Sequence, residues 1–257
     1  MIIKDIYNYR EMIVSLVRKD LRGRYKGSVL GFLWTFVNPL LQLIVYSIVF
    51  SIIVKMGIDN FSMFLFVALV PWIFFSSCIT SGSTVILQQQ DLVKKIFFPR
   101  EVLPVAYVTS SFINMLFSFI VIFVAIIVTN HGMNPAALLF LPLIMLIEYI
   151  LALGFSFVAS AITVYFRDLE HILNNLSMAW MYLTPILYTQ EMVPEQYKPL
   201  FNLNPMTPII IAYRDILFYK RIPSLNTLIG ASITGVVSLI LGFILFNKLK
   251  KGFAEEM

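Results

Sequence analysis

Several stretches of this chain run without a single Asp, Glu, Lys or Arg, and they are far longer than an element of a water-soluble core. Gly27 to Val54 is 28 residues, Asn60 to Gln90 is 31, and Val102 to Ile147 is 46. A helix rising about 1.5 Å per residue needs about 20 apolar residues to cross a hydrocarbon layer of roughly 30 Å. The first two runs each supply one span, whereas the third is too long for a single crossing. It divides at the turn cluster Asn130-His131-Gly132-Met133-Asn134-Pro135, giving spans near 102–129 and 136–165. Ile172 to Gln190, 19 residues, reads as a fifth span, and Ile222 to Asn247, 26 residues, contains a sixth. Composition agrees, because only 13% of the residues are charged, against about a quarter in soluble proteins. That is too little charge to cover a water-facing surface, which excludes a soluble enzyme and a disordered chain. The one Cys excludes an intrachain disulfide, and two His beside it argue against a structural zinc site.

Charge placement orients the bundle. Seven basic residues precede Gly27: Lys4, Arg10, Arg18, Lys19, Arg22, Arg24 and Lys26. With the N-terminus on the cytoplasmic side, 14 of the 19 basic residues fall inside and 5 outside, in the sense of the positive-inside rule. Both termini are then cytoplasmic. The chain is expected to be one membrane domain over residues 1–257, with an interfacial helix at 1–26, a six-span bundle at 27–247 and a cytoplasmic tail at 248–257. The first 26 residues lack the apolar stretch of about 7–15 residues that a cleaved leader carries. They alternate instead at helical spacing, with Ile2, Ile6, Tyr9, Ile13, Leu16 and Val17 on one face and Lys4, Asp5, Glu11, Arg18, Lys19 and Arg22 on the other. Such a helix lies in the headgroup plane. No soluble basic domain exists to present this charge to nucleic acid, and no internal repeat marks an inverted-repeat carrier.

One apolar piece does not fit a crossing. Pro199 to Tyr213 is 15 uncharged residues interrupted by Pro199, Pro205 and Pro208. It reads as one or two re-entrant half-helices on the outer side, between the fifth and sixth spans. The fold expected is therefore all-α: an interfacial amphipathic helix, six transmembrane helices and re-entrant outer-side helices.

Intrinsic catalysis has little to work with. The chain has no G-x-x-x-x-G-K-[ST], no H-E-x-x-H and no G-x-S-x-G. A membrane transferase needs clustered acidic residues for a base or a metal, and here they are scattered, with only Glu148 inside a span. Glu148 reads either as a proton or substrate site or as a carboxyl hydrogen-bonded within the bundle. Arg22, Arg24 and Lys26 form a cationic cluster where the interfacial helix meets the first span. They suit phosphate oxygens or simply anchor the topology. The mixed segment from Asp91 to Glu101, carrying Lys94, Lys95 and Arg100, reads as a surface helix that docks on a cytoplasmic protein or as a solvated loop. The aromatics Trp34, Trp72, Tyr107, Trp180, Tyr182 and Tyr188 read as interface belts and packing, or as the lining of a passage on which sugar faces stack.

At these residues the sequence resembles a known family. Arg24-Tyr25-Lys26, then Ser28-Val29-Leu30-Gly31, Trp34 and Pro39, resembles the opening of ABC-2-type permeases that export polysaccharides such as O-antigen and teichoic acid. The resemblance continues through Lys94-Lys95, Phe98-Pro99-Arg100-Glu101, Phe166-Arg167-Asp168 and Asn204-Pro205-Met206. It implies a homodimer of permease chains around a central passage in a bacterial inner or plasma membrane. Two separate ATPase subunits would dock beneath and bind the ATP and magnesium; this chain would hold no cofactor and no metal. The substrate implied is a glycan on a polyprenyl-pyrophosphate lipid. Arg22, Arg24 and Lys26 would meet its pyrophosphate, and the six aromatics would line the passage. Asp91, Lys94, Lys95, Arg100 and Glu101 would receive the ATPase stroke, and a segment at 191–213 with Pro194, Pro199 and Pro205 would form an outer gate. A permease of the same architecture exporting small lipophilic molecules or drugs is the alternative.

Overall fold

The computed structural model describes residues 6–24, 27, 29–55 and 57–256. Lys26 therefore lies outside the described residues, as do Tyr25 and Ser28. Among the described residues the chain is helical, without β-strands. Eleven helices matter here. They are α1 (Arg10–Gly23), α2 (Trp34–Ser47), α3 (Phe61–Ile79), α4 (Gln90–Lys95), α5 (Val102–Val128), α6 (Leu141–Tyr165), α7 (Leu169–Leu183), α8 (Lys198–Leu203), α9 (Met206–Leu217), α10 (Leu225–Leu249) and α11 (Phe253–Glu256).

Five helical segments are long and apolar enough to cross a membrane: Gly31–Ile53, Phe61–Gln88, Val102–Val128, Pro135–Tyr165 and Leu225–Gly252. The reason is that lipid offers backbone groups no hydrogen-bond partner, so an apolar run of this length must satisfy them within a helix. The expected fifth span, Ile172 to Gln190, departs from that pattern. Its helix, α7, stops at Leu183 after 15 residues. Pro185 follows, and a residue before proline is pushed out of the helical region; Thr184 is accordingly extended at φ −103° and ψ 139°. At about 1.5 Å per residue α7 is roughly 22 Å long, short of a full crossing. The prolines of the next segment sit at helix starts, where their missing N–H is harmless. Pro194 precedes a single turn at Glu195–Tyr197, Pro199 stands in the first turn of α8, and Pro205 precedes α9.

The bundle is centred on α3, in which fifteen of nineteen residues are buried. Helices α2, α5, α6 and α9 surround it. The tightest pair is α6 with α10, made possible by small residues. A Cβ at Gly154 would strike the backbone of Ser238 and Leu239, and one at Gly242 would strike the backbone of Gly154. Small residues let transmembrane backbones approach this closely, where dispersion contacts replace the absent hydrophobic drive.

The two ends of α5 separate two groups of loops by about 40 Å, its 27 residues at about 1.5 Å each. At its start lie α1, α4 and the C-terminal turn. Lys19 donates to Gln89 at 3.2 Å, and Glu101 pairs with Lys250. At its far end, His131 Nε2 meets the carbonyl of Phe218 at 2.9 Å, and Asn134 donates to that of Lys220 at 2.9 Å.

Candidate functional site

Helix α1 buries Ile13 and Val17 and rests on the start of α5. Its last turn aims Arg24 at that helix. Arg24 Nε donates to Asp20 at 2.8 Å and Nη2 to Ser111 at 2.8 Å, while the guanidinium lies 5.3 Å from the centre of the Tyr107 ring. Ser110 completes the knot by donating to Asp20 at 2.5 Å. Two cavities open from this point. One, of about 340 Å³, runs between α1 and α5 past Leu16, Lys19 and Tyr107. The other, of about 330 Å³, rises between α2, α3 and α5 past Trp34, Asn38, Ser77, Asn114 and Ser118. Arg22 lies away from this knot, on the wall of a basic surface groove with Arg10, Arg18 and Lys19.

Amide and hydroxyl groups continue the second cavity up the bundle. Thr35, Asn38, Gln42 and Tyr46 fall at i, i+3, i+7 and i+11 on α2, and Ser111, Asn114 and Ser118 at i, i+3 and i+7 on α5. Thr35 donates to Asn114 at 3.1 Å, and Ser118 to the Thr35 carbonyl at 3.3 Å. A third cavity, also about 340 Å³, carries Gln42 and Tyr46 on to Ser76, Thr80, Asn174 and Ser177. Asn38 and Gln42 are exposed, and neither amide finds a hydrogen-bond partner among the described residues. An unsatisfied amide at membrane depth is expensive, so this face of α2 requires water, a ligand or another chain against it.

The six aromatics separate into five environments. Trp72 and Trp180 pack on each other at 6.4 Å between centroids, in a cluster with Phe75 and Phe155. Trp34 is half-buried in the polar cavity, and Tyr107 lies under Arg24. Tyr182 is exposed on α7. Tyr188 donates to the carbonyl of Tyr182 at 2.9 Å and packs on Phe201.

The proline-rich segment is tied down by groups that replace the bonds α7 lacks at its end. Asn204 donates to the Leu183 carbonyl at 3.2 Å and to Thr184 at 2.9 Å, and it accepts from Trp180 Nε1 and the Met206 N–H, both at 3.0 Å. Arg214 is buried and donates to the carbonyls of Ile186 at 2.6 Å and Tyr188 at 3.2 Å, with its guanidinium 3.5 Å from the centre of Phe64. Beyond α7 the Glu191 carboxyl is held below the usual carboxylate range by its own N–H and by the Thr189 hydroxyl. Glu148, the acidic residue inside a span, accepts from Tyr213 at 2.6 Å in the bundle interior.

The segment 91–101 splits into an outward and an inward half. Asp91 and Lys95 pair at 3.3 Å on the surface, Lys94 is exposed, and Phe97 projects 92% exposed beside exposed Ile96. Val93 and Phe98 are buried; Arg100 folds back to donate to the carbonyls of Phe98 at 3.1 Å and Val93 at 3.3 Å. Glu101 faces Lys250 rather than solvent.

Residues 11–218, most of the chain, match the ABC-2 type transporter family. The chain belongs to that family. It is similar along its whole length to the O-antigen export system permease protein RfbA of Myxococcus xanthus, at 34% identity over 100% of this chain and 99% of that one. The Klebsiella pneumoniae protein of the same name is 34% identical over 95% and 94% of the two chains. The polysialic acid transport protein KpsM of Escherichia coli is 22% identical over 91% and 92%.

An ABC-2 membrane subunit is a multi-pass permease that works with a separate ATPase, in keeping with a sequence that has no P-loop. Among the described residues no three His, Cys, Asp or Glu side chains gather into a metal-binding set. Two features of this permease escaped the sequence reading. The amide ridge of α2 was visible as Thr35, Asn38 and Gln42 at helical spacing inside an uncharged run. The clamp of Asn204 and Arg214 on the end of α7 had no local signal beyond Thr184-Pro185.

Proposed function

We propose that this chain is the permease of an ATP-driven exporter that carries a lipid-linked polysaccharide outward across the bacterial inner or plasma membrane. Two copies enclose the passage and two ATPase subunits sit beneath them, with both termini cytoplasmic. The carrying observation is the ridge of Asn38 and Gln42, two exposed amides without a hydrogen-bond partner among the described residues, on a membrane helix whose neighbouring walls bear Ser76, Ser77, Asn114 and Asn174. An uncharged wall of amides and hydroxyls exchanges hydrogen bonds with sugar hydroxyls at little cost and does not trap them as charges would. A passage for small lipophilic molecules calls for an apolar wall instead, so the polar ridge weighs against that reading. The names of the full-length relatives point the same way.

In this reading α7, lengthened by the tied-down residues just after it, makes the fifth of six crossings. Helices α8 and α9 form the outer gate. Arg24 and Arg22 stand at the cytoplasmic entrance for the pyrophosphate of the lipid carrier, and Asp91, Lys94, Lys95, Ile96 and Phe97 face the ATPase. The test is reconstitution of the permease with its ATPase in proteoliposomes holding a polyprenyl-pyrophosphate glycan. Glycan is expected to reach the opposite leaflet only with ATP. Export of a lipophilic dye with no movement of glycan would overturn the reading. For orientation, with Cys78 replaced, cysteines at the exposed positions Gln196 and Lys251 should label from opposite sides of the membrane. Labelling of Lys251→Cys from outside would reverse the bundle.

A further inference from the structure

The end of the bundle far from α1 holds a cleft lined by none of the residues assigned above to export. It measures about 490 Å³ and lies between α2, α3 and α5. Leu43, Met63, Phe66 and Ala125 form its floor, and Asn60, Ser62, Thr129, Asn130, His131 and Lys220 form its rim. The wall contains no carboxylate; Asp59, next in the chain to Asn60, stands outside it. The Lys220 ammonium has neither a hydrogen bond nor an ion pair among the described residues.

This rim is held in place. Lys220 adopts the left-handed conformation at φ 56°, which is strained for a residue with a Cβ and persists only where neighbours fix it. Asn134 fixes it by donating to the Lys220 carbonyl at 2.9 Å, and His131 seals the adjoining turn on Phe218 with a 2.9 Å bond and a stacked ring at 5.3 Å. Gly132, at φ 77°, keeps the space beside Lys220 clear: the ammonium lies 4.0 Å from where a Cβ would stand.

We propose that this cleft binds the phosphate-bearing headgroup of a membrane lipid in the leaflet at this end of the bundle, with an acyl chain beside Leu43 and Ala125 over the buried Met63 and Phe66. The apolar floor between membrane helices suits a hydrocarbon chain, and the cation, carried on a backbone that is held in place and with amides and hydroxyls around it, suits phosphate oxygens. A sugar would need a free aromatic face; Phe66 is buried and the His131 ring already stacks on Phe218. The inference rests on the helix arrangement and stands apart from the export reading.

The test is native mass spectrometry of the delipidated full-length protein in detergent, titrated separately with phosphatidylglycerol, diacylglycerol, a neutral glycosyl-diacylglycerol and inorganic phosphate. Phosphatidylglycerol should be retained about tenfold more tightly than diacylglycerol. Lys220→Asn, which tolerates the left-handed backbone, should abolish that preference, and Lys220→Arg should keep it. Where Lys220→Asn lowers the yield, Ser62→Trp fills the cleft from its exposed rim and should cause the same loss. Equal retention of phosphatidylglycerol and diacylglycerol overturns the proposal, as does an unaltered preference in both Lys220→Asn and Ser62→Trp. Retention of the glycosyl lipid as tight as that of phosphatidylglycerol would make the cleft a sugar site. Displacement of phosphatidylglycerol by equimolar inorganic phosphate would make it a free-anion site.

Discussion

Helices α2 and α3 are neighbours in sequence and almost equally apolar, yet they do opposite things. In the most apolar window of the α3 segment 78% of residues are buried inside the chain; for the α2 segment the figure is 6%. Helix α3 keeps its hydroxyls, Ser62, Ser76 and Ser77, at its two ends, is apolar on every side between them and supplies the core. Helix α2 carries an amide ridge, with Leu41, Ile44 and Val45 exposed beside it and Ile48 and Ile52 exposed just beyond its end. In water such a difference would show as an amphipathic stripe on the outer helix. In lipid the outer helix has no need of charge, so apolarity alone does not separate core from rim. What separates them is the placement of uncharged polar groups, because those groups need partners whichever solvent surrounds the bundle.

The largest effect expected follows from that contrast. Phe75 on α3 is fully buried and meets Phe155 and Trp180 edge-on at 5.4 Å each. Phe75→Ala should cost about 3–5 kcal/mol through the cavity it leaves, lowering the thermal midpoint in detergent by about 10 °C. Ile44→Ala on α2 should cost the isolated chain less than about 1 kcal/mol, because its side chain stands half in the open. In the proposed dimer the same change should shift the oligomer toward monomer, as read by mass photometry. An equal loss of midpoint for both variants would erase the distinction between core and rim.

The polar side of α2 tests the comparison in function rather than stability. Asn38→Leu combined with Gln42→Leu removes two amides that make no hydrogen bond among the described residues. Thermal stability should hold or rise, since no buried partner is orphaned. Glycan export should fall about tenfold or more, as expected when about 1.4 kcal/mol of interaction with the moving chain is lost. Full export by the double variant would leave the ridge without a role and remove the observation that carries the function.

How much of this was legible in the sequence depended on the kind of residue. Five crossings followed from uncharged runs, and Asn130 to Pro135 divided the longest run correctly, because the cost of burying a charge or a turn in lipid is large and local. The end of α7 was also local: Pro185 excludes helix at Thr184, and a reading based on charge alone ran on to Gln190. Burial was not local. Trp72 and Trp34 look alike in sequence, but one is enclosed by Phe75 and Trp180 and the other borders a polar cavity; only the packing of α3 against α6 and α7 decides that. Glu101 stood beside Arg100 in a segment read as facing a partner, yet its carboxylate belongs to Lys250, 149 residues away in the chain.

A smaller effect is expected at the foot of the rim. Arg24 joins α1 to α5 through Asp20 and Ser111, and the planar fork of its guanidinium makes both bonds at once. Arg24→Lys keeps the charge that orients the N-terminus but loses the fork. Complex yield should be unchanged, while ATP turnover stimulated by lipid-linked substrate should fall about fivefold, an effect near 1 kcal/mol and typical of one lost hydrogen bond. Normal stimulation by Arg24→Lys would reduce this residue to a topological anchor.

The smallest effect belongs to the seam where core and rim meet. Ser76 on α3 and Ser177 on α7 share a hydrogen bond of 2.6 Å, with either hydroxyl able to donate. Hydrogen bonds between membrane helices average only about 0.6 kcal/mol, because a hydroxyl that loses its partner can turn to a carbonyl of its own helix. Ser177→Ala should therefore lower the midpoint by about 2 °C or less. Export should stay within about twofold of normal, since less than half a kcal/mol of barrier is at stake. The two serines border the same cavity as Gln42 and Asn174, so a much larger loss of export with an unchanged midpoint would mean that the moving chain bonds to Ser177 directly. The wall that Asn174 begins on α7 would then reach one turn further to Ser177, and the functional boundary between rim and core would run along the face of α3 that bears Ser76.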